Sequence, residues 1–529
     1  MTTLLIASSQ VSTAVTVVFC LLLAGLIACL AFEEQLHAKK SIIAGAFAVI
    51  CLLLGTAMGI LPFDDVVVGS KEANVSGDVE LHLADDDPET ETENAGDEVG
   101  NQHGDSEDHP EHGNDESGHG DHAEPLHVGG HEIRMPVYIP GIDWSVIAII
   151  LGSSLFVDVT SRSGLFSWIA IKATKLSQGD PLQLLILYGI MTVVFSAVLN
   201  NVTAMIIVGS LTVVSLKKLE KQEYMLPFLL VEGLLTNIGG LLTLISSVPN
   251  IIVGTTANIS FATFLIKAAP YVVVATVVTL WMGALIFGIR ANKTAEEKQK
   301  ARDLVNGFDE NDGIESPTFF KVAIAMLAVF VVLIAGTSAL PVINKLGMGF
   351  VAMSMAAVML LMYRHEVDKF YRAVDWDLIG FFMALFVVIY VMEHAQVLHW
   401  IGLALQSVIG NVTQTVASPR DATTLLLGSA AFSSVTDNIP LAAMLASILH
   451  DLDAPNSSGL WWSVIFGANL GGNLTPIGSA STLVAVTIMH KHGLHMTFAK
   501  FVKQAFLFAI VQIALAVVYV IFVIPLIPG

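Results

Sequence analysis

Two short polar clusters interrupt long apolar stretches of this chain, and their side-chain oxygens could hold an ion. They are Asn200, Asn201 and Thr203 within "LNNVT", and Ser434, Asp437 and Asn438 within "SSVTDNIP". Amide, hydroxyl and carboxylate oxygens are hard ligands of the kind that suit sodium. In an apolar setting such groups survive only where protein or a water-filled cavity surrounds them. The clusters therefore indicate two turns at the edge of one ion pathway.

A second pair of segments has the composition of helices broken inside a membrane. They are "TNIGGLLTLISSVPN" (236–250), with Asn237, Gly239, Gly240, Thr243 and Asn250, and "ANLGGNLTPIGSAST" (468–482), with Asn469, Gly471, Gly472, Thr475 and Ser479. Double glycine followed by proline is typical of an interrupted helix. The N-terminus of the second half-helix would suit a small anion. In a single helix the Gly-Gly pair could equally serve close packing.

These segments belong to an internal repeat. The broken-helix residues recur after 232 positions, as do Trp168 (Trp400) and the pair Asp143-Trp144 (Asp375-Trp376), whereas the polar clusters recur after 237. Such a repeat of broken apolar segments predicts a secondary transporter with its site where the repeats meet.

Composition places the elements in a membrane. The 529 residues are 54% hydrophobic and 13% charged, which excludes an ordinary soluble protein. Apolar stretches predict spanning helices near 12–32, 41–62, 144–159, 264–289, 319–341, 349–362, 376–392 and 504–526. The fold class is therefore an all-α polytopic membrane protein with two inverted repeats, each with a re-entrant hairpin and a broken helix. We expect the lipid bilayer as a partner and no nucleic acid.

The segment 63–142 has a different character. It holds 22 Asp and Glu residues but one Lys and one Arg, and so contains nearly all of the net charge of −21. This composition predicts a disordered, solvated loop. Its histidines, among them His109, His112, His119 and His122, could bind a divalent metal, although without cysteines or fixed spacing they are a poor metal motif.

Lysine and arginine placement predicts the orientation, since cytoplasmic loops collect these residues. With the acidic loop outside, both termini are also extracytoplasmic, and the protein lies in the inner (plasma) membrane. Basic clusters on both sides of 180–216 make this segment a re-entrant hairpin, and 422–449 is its counterpart from the opposite face. The domains are then the following ranges: 1–62, two helices; 63–142, the acidic loop; 143–289, the first repeat; 290–318, a cytoplasmic linker; 319–362, two helices; and 363–529, the second repeat.

Ionisable residues inside membrane spans are expensive and are functional candidates by default. Four acids qualify as proton-coupling residues: Asp158, Glu232, Glu393 and Asp437. Asp437 is the first choice because it lies in a polar turn. Asp158 and Glu393 could instead end helices in water, and Glu232 could pair with a basic group.

The paired motifs resemble the ion transporter superfamily from about residue 143 to the C-terminus. The resemblance is to the branch of arsenite permeases, NhaD-type sodium/proton antiporters and the P protein, which is citrate-transporter-like. The branch usually has Asp-Asn-x-Thr-Thr at the first turn, where this chain has Asn200-Asn201-Val202-Thr203-Ala204. Ser247-Val248-Pro249-Asn250 stands where Asp-Pro-Pro-Asn is usual. The resemblance implies a homodimer.

The function predicted first is sodium/proton antiport by alternating access. The alternative is transport of a small anion, either arsenite-like efflux or sodium-coupled carboxylate uptake, which the missing first-half carboxylates favour. Divalent metal transport or sensing through the His-rich loop is a weaker alternative. Sodium or protons would be the coupling ion, with no other cofactor. No His-Glu-x-x-His or Gly-x-Ser-x-Gly motif indicates an enzyme.

Overall fold

The computed structural model describes residues 11–31, 36, 38–61, 65–68, 71–73, 126–128, 131–134, 139, 141–337, 340–364, 367–410, 412–414, 417–436 and 438–527. The chain divides into two compact units. One comprises residues 1–62 with 138–529, and the other comprises 63–137.

The larger unit is helical throughout its described part. The first helices are α1 (Thr13–Ala31), α2 (Lys40–Ala57), α3 (Trp144–Ser161), α4 (Leu165–Leu176), α5 (Pro181–Val198), α6 (Asn201–Lys218), α7 (Met225–Gly240), α8 (Val248–Thr256) and α9 (Phe261–Ile286). A linker helix and two membrane helices follow, as α10 (Ala295–Asn306), α11 (Pro317–Ala335) and α12 (Pro341–Met362). The remaining helices are α13 (Val367–Ala373), α14 (Trp376–His394), α15 (Val397–Ile409), α16 (Pro419–Ser433), α17 (Asn438–Asp451), α18 (Gly459–Gly471), α19 (Ala480–Lys491) and α20 (Phe498–Phe522).

The predicted membrane spans are confirmed as helices. Ten described helices are long and apolar enough to cross a membrane, and eight of them match the eight predicted stretches. The other two are α5 and α6, the arms of the first predicted hairpin. Helix α12 begins earlier than the predicted 349 and contains a break at Gly347, whose φ of 75° is open to glycine.

The described ends of the smaller unit differ from the prediction for the acidic segment. Residues 65–68 pair antiparallel with 131–134, and 71–73 pair antiparallel with 126–128. The ends of the acidic segment therefore form short strands, where the sequence predicted a loop without structure. The consecutive β-branched residues Val66, Val67 and Val68 supply the strand propensity that the acidic composition obscured. Residues 74–125, with the candidate metal ligands His109, His112, His119 and His122, lie outside the described residues.

The repeat is visible in local structure. Asp143 caps α3 and Asp375 caps α14, each accepting backbone N–H groups of the first turn. The next residue in each copy is a tryptophan whose indole N–H donates to a carbonyl five residues earlier, at 3.1 Å for Trp144 and 2.8 Å for Trp376. We call residues 143–289 the first half and 363–529 the second half. The equal geometry shows that the two halves are copies of one structural unit.

Candidate functional site

Each half contains a helical hairpin whose turn rests on a broken helix. In the first half, α5 and α6 meet at residues 199–200, where the Asn200 side chain accepts the Thr203 N–H at 2.8 Å and caps α6. In the second half, α16 and α17 meet around residues 434–437. Polar residues at both turns thus begin a helix, as the sequence predicted, although Asp437 itself lies outside the described residues.

The same hydrogen bonds hold the hairpin to the broken helix in both halves. Ser196 donates to the Thr236 carbonyl at 2.6 Å, and its counterpart Ser433 donates to the Ala468 carbonyl at 2.5 Å. These bonds satisfy backbone groups that have no water to bind in the membrane. They fix the turn beside the break.

Two of the predicted threonines make the matching second attachment. Thr243 donates to the Ala197 carbonyl, and Thr475 donates to the Ser434 carbonyl, both at 2.5 Å. Ser434 therefore contributes its backbone carbonyl, while its own hydroxyl donates within α16.

The double glycines allow the hairpin and the broken helix to cross closely. A Cβ on Gly239 would lie 2.7 Å from the Val193 carbonyl oxygen, and one on Gly471 would lie 2.3 Å from the Ala430 carbonyl oxygen. A Cβ on Gly240 would meet the Asn201 side chain, and one on Gly472 would meet Ser479. Gly239 and Gly471 therefore allow close packing, and neither of them lines the cavity described below.

At the break in the first half, backbone carbonyl groups accept hydrogen bonds from a side chain of the following helix. Helix α7 ends at Gly240 and α8 begins at Val248, which leaves terminal carbonyls unpaired. The Asn250 amide donates to the carbonyls of Gly240 at 2.6 Å and Thr243 at 3.0 Å. This asparagine thus stabilises the break, and its side chain is fully buried.

The two breaks are joined by reciprocal contacts. The Asn237 amide donates to the Ser479 hydroxyl at 2.9 Å, and the Ser247 hydroxyl donates to the Asn469 side-chain oxygen at 2.7 Å. Asn469 is the repeat counterpart of Asn237, and Ser479 is that of Ser247. Each contact therefore joins the same two repeat positions, with the two halves exchanged. Such an exchange is the pattern that a two-fold relation produces. These contacts are consistent with a two-fold relation between the halves.

A cavity of about 710 Å³ opens at this junction. Four repeat-related helix N-termini are among those that line it: α6 and α8 from the first half, and α17 and α19 from the second. The lining polar side chains are Ser154, Asn200, Asn201, Thr203, Asn237, Ser246, Ser247, Asn438, Ser479 and Ser481. Six of the predicted binding residues, Asn200, Asn201, Thr203, Asn237, Asn438 and Ser479, are thus brought together.

Charged groups in the cavity wall come in equal numbers of each sign. Lys39 and Lys40, at the start of α2, and Asp375 and Asp377, at the start of α14, line it. Asp375 caps α14, and Asp377 accepts a hydrogen bond from Ser41. These four residues were not predicted as site residues. Lys39, Lys40 and Asp377 have no counterpart of the same type in the repeat, and Asp375 belongs to the repeated Asp-Trp pair, which was interpreted only as a marker of the repeat.

The predicted proton-coupling acids are dispersed. Asp158 forms an ion pair with Arg162 at 3.4 Å and lines a small cavity of about 90 Å³ beside Asn200. Glu393 is exposed near the C-terminus of α14, in agreement with the helix-end interpretation. Glu232 is fully buried in α7, five residues before Asn237.

Sequence reasoning missed several hydroxyl and amide groups at the junction. Ser247 and Ser481 line the cavity, and Asn473 accepts from Asn237 at 2.8 Å. The signal for Ser247 was available, since it stands 232 positions before Ser479. Asn473 occupies the position of Leu241, so the repeat gave no signal for it.

Comparison with known proteins identifies the family. A family model described as "Citrate transporter" matches residues 128–467. The chain belongs to the citrate transporter family. The "46 kDa membrane protein" of Mycobacterium leprae is 30% identical over 386 residues, covering 72% of this chain and 86% of that protein. An uncharacterized transporter of Mycobacterium tuberculosis is also 30% identical, over 389 residues, with 72% and 86% covered.

More distant similarities extend this citrate transporter family match. The human P protein is 23% identical over 465 residues, which cover 74% of this chain and 55% of the P protein. The predicted resemblance to the P protein branch is thereby confirmed. Among solved structures, Neisseria gonorrhoeae MtrF matches with a TM-score of 0.49 and 11% identity, over 73% of this chain and 81% of that one. The chain is a membrane transporter of the citrate transporter family.

Proposed function

We propose that this chain is a secondary active transporter that binds a small anion in the cavity between its halves. The observation that carries the proposal is the convergence of helix N-termini from both halves on that cavity, including the repeat-related pairs α6 with α17 and α8 with α19. Each N-terminus presents unpaired N–H groups and about half a positive charge, which favours an anion by about 0.3–2 kcal/mol per helix. Transport would be coupled to a sodium or proton gradient.

The charge balance supports an anion as substrate. Among the described lining residues, two lysines face two aspartates, so no net negative charge opposes an anion. The first turn has Asn200 where the family resemblance leads one to expect a carboxylate. Neutral amides and hydroxyls can donate to a carboxylate or a smaller oxyanion without adding like charge.

The reciprocal contacts support alternating access as the mechanism. Discontinuous helices from two related halves, meeting at a central cavity, are typical of transporters that rock one half against the other. The Asn237–Ser479 and Ser247–Asn469 pairs lie at this boundary. Closure on one side would then open the equivalent gap on the other.

The test is transport by the purified protein in proteoliposomes. Radiolabelled citrate, succinate, phosphate, chloride and arsenite are supplied one at a time, with an imposed sodium gradient, a pH gradient or neither. We expect gradient-dependent accumulation of one of these anions, with the carboxylates as the first candidates. Absence of accumulation for every anion under every gradient would contradict the proposal.

Sodium/proton antiport is the second candidate, favoured by the two aspartates in the cavity wall and by Asp437, which directly precedes α17. A tip carboxylate could exchange a proton for a cation. In this case sodium added to empty proteoliposomes produces a dye-reported proton flux, and Asp437→Asn abolishes that flux. A sodium-induced flux without anion transport would replace the anion proposal with antiport.

A further inference from the structure

Glu232 is a fully buried acid with one hydrogen-bond partner among the described residues. It lies in the middle of α7 and is 0% exposed. The Thr212 hydroxyl bonds to its Oε1 at 2.6 Å, while Oε2 has no partner among the described residues. An ionised carboxylate in such a place costs several kcal/mol or more.

No described positive charge compensates Glu232. The helices packed against α7 are α5, α6, α9, α18, α19 and α20. Of their titratable groups, the Tyr188 phenol on α5 is the one with an electrostatic interaction with Glu232. None of the ion pairs among the described residues includes Glu232. The other titratable residues on these helices are Lys217, Lys218, Lys267, Tyr271, His490, Lys491, Lys500, Lys503 and Tyr519, and Glu223 and Tyr224 lie just before α7.

A run of buried hydroxyls continues from Glu232. Thr212 and Ser215 are three residues apart on α6 and so lie on one helix face. The Tyr188 hydroxyl bonds to Ser215 at 2.7 Å and to Thr174 at 2.9 Å. Thr174 directly precedes Lys175, whose side chain is 34% exposed. Hydroxyls both donate and accept, so the bonded group of Ser215, Tyr188 and Thr174 can pass a proton towards the end of α4. No described hydrogen bond joins Thr212 to Ser215, so this step needs water that enters in another conformation.

The repeat shows that packing does not require an acid at this position. The second-half counterpart of Glu232, 232 positions later, is Val464, which is also fully buried in its broken helix. The same place in the fold is therefore filled by an apolar side chain in one half and by a carboxyl in the other. An unpaired buried carboxyl that the fold can omit is a candidate for function.

We propose that Glu232 carries the proton that couples this transporter to a pH gradient. It holds the proton in the conformation described here. It releases the proton when the opposite-facing conformation admits water, with the proton passing through Thr212, Ser215, Tyr188 and Thr174 to solvent. Asn237, which lines the cavity, lies five residues along the same helix, at about 7.5 Å of helix rise from Glu232. This inference rests on the proposed anion transport.

The test compares two transport assays on Glu232→Gln, which keeps the shape and the bond to Thr212 but cannot ionise. The probe is the anion that the wild type accumulates in the panel above, with radiolabelled citrate tried first. We expect uptake driven by a pH gradient to fall about tenfold or more, while counterflow, which needs no net proton movement, stays within about twofold. Glu296→Gln, at an exposed acid on α10, is the matched control and should change neither assay.

The outcomes separate this inference from the proposed function. Wild-type uptake driven by a pH gradient that survives intact in Glu232→Gln overturns the inference and leaves anion transport standing. Equal loss of uptake and counterflow in a normally inserted variant gives Glu232 a structural role and overturns it too. A wild type that transports no anion refutes the proposed function instead. If Glu232→Gln does not insert, Glu232→Asp decides, since a shifted pH profile supports the inference and an unchanged one contradicts it.

Ser215→Ala tests the path separately. The substitution removes the hydroxyl that bonds to both Tyr188 and Thr174. We expect slower uptake under a pH gradient with unchanged counterflow. An unchanged uptake rate would remove the hydroxyl run from the proposal.

Discussion

The first and second halves share a set of hydrogen bonds but have different side chains at some equivalent positions. The shared bonds are donated to equivalent carbonyls by Ser196 and Ser433, and by Thr243 and Thr475. Two of the side chains that differ are Asn200 at the turn and Glu232 in the broken helix of the first half. The second half has Asp437 and Val464 at those places. The comparison separates residues that build the fold, which recur, from residues that give it function, which need not.

Adding a methyl group at the shared helix crossing should have the largest effect. Gly239→Ala and Gly471→Ala each force a Cβ against a backbone carbonyl, at 2.7 Å and 2.3 Å. Because neither backbone can move without breaking its neighbouring bonds, we expect both variants to lose most of the correctly inserted protein. Gly428→Ala is the control, since nothing lies within 4 Å of its added Cβ. Normal levels of either crossing variant, measured by fluorescence-detected gel filtration, would show that the halves do not depend on this contact.

Substitution of the repeat-related asparagines Asn237 and Asn469 should separate an effect on substrate binding from an effect on stability. Asn237→Ala and Asn469→Ala each leave buried partners unpaired, at about 1–3 kcal/mol per group, so both should lower the Tm. Asn237 also lines the cavity and Asn469 does not, so the first substitution should raise KM for transport as well. Asn306→Ala, at the exposed end of α10, serves as the control. Equal KM values for the two variants would contradict the assignment of the cavity.

The smallest effect is expected at the linker, which contacts only the first half. Glu310 forms ion pairs with Lys175 and Lys172, which hold its pKa at about 2. A carboxyl with a lowered pKa contributes stability above its usual pKa of about 4.3 and loses it as the pH falls towards 2. Glu310→Gln should therefore cause a small drop in Tm that is constant from pH 5 to 8, with transport unchanged. A Tm difference that varies across that range would show that another group titrates there.

Much of the fold was predictable because membrane helices and repeats leave strong signals. The apolar stretches placed eight helices, and the displacement of 232 residues placed both breaks. The cavity was only partly predictable. Lys39 and Asp377 line it without a counterpart of the same type in the repeat, and Asn473 replaces an apolar counterpart. Such contacts depend on how distant helices pack, which no local pattern contains.

The central claim, that the cavity binds an anion at helix N-termini, is tested most directly by transport through Asn200→Asp. Aspartate can keep the cap on the Thr203 N–H, so α6 should fold as before while the cavity gains one negative charge. We predict that counterflow of the transported anion falls about tenfold or more through like-charge repulsion. Unchanged or increased counterflow, or a stronger sodium-induced proton flux, would contradict the account and assign the cavity to a cation.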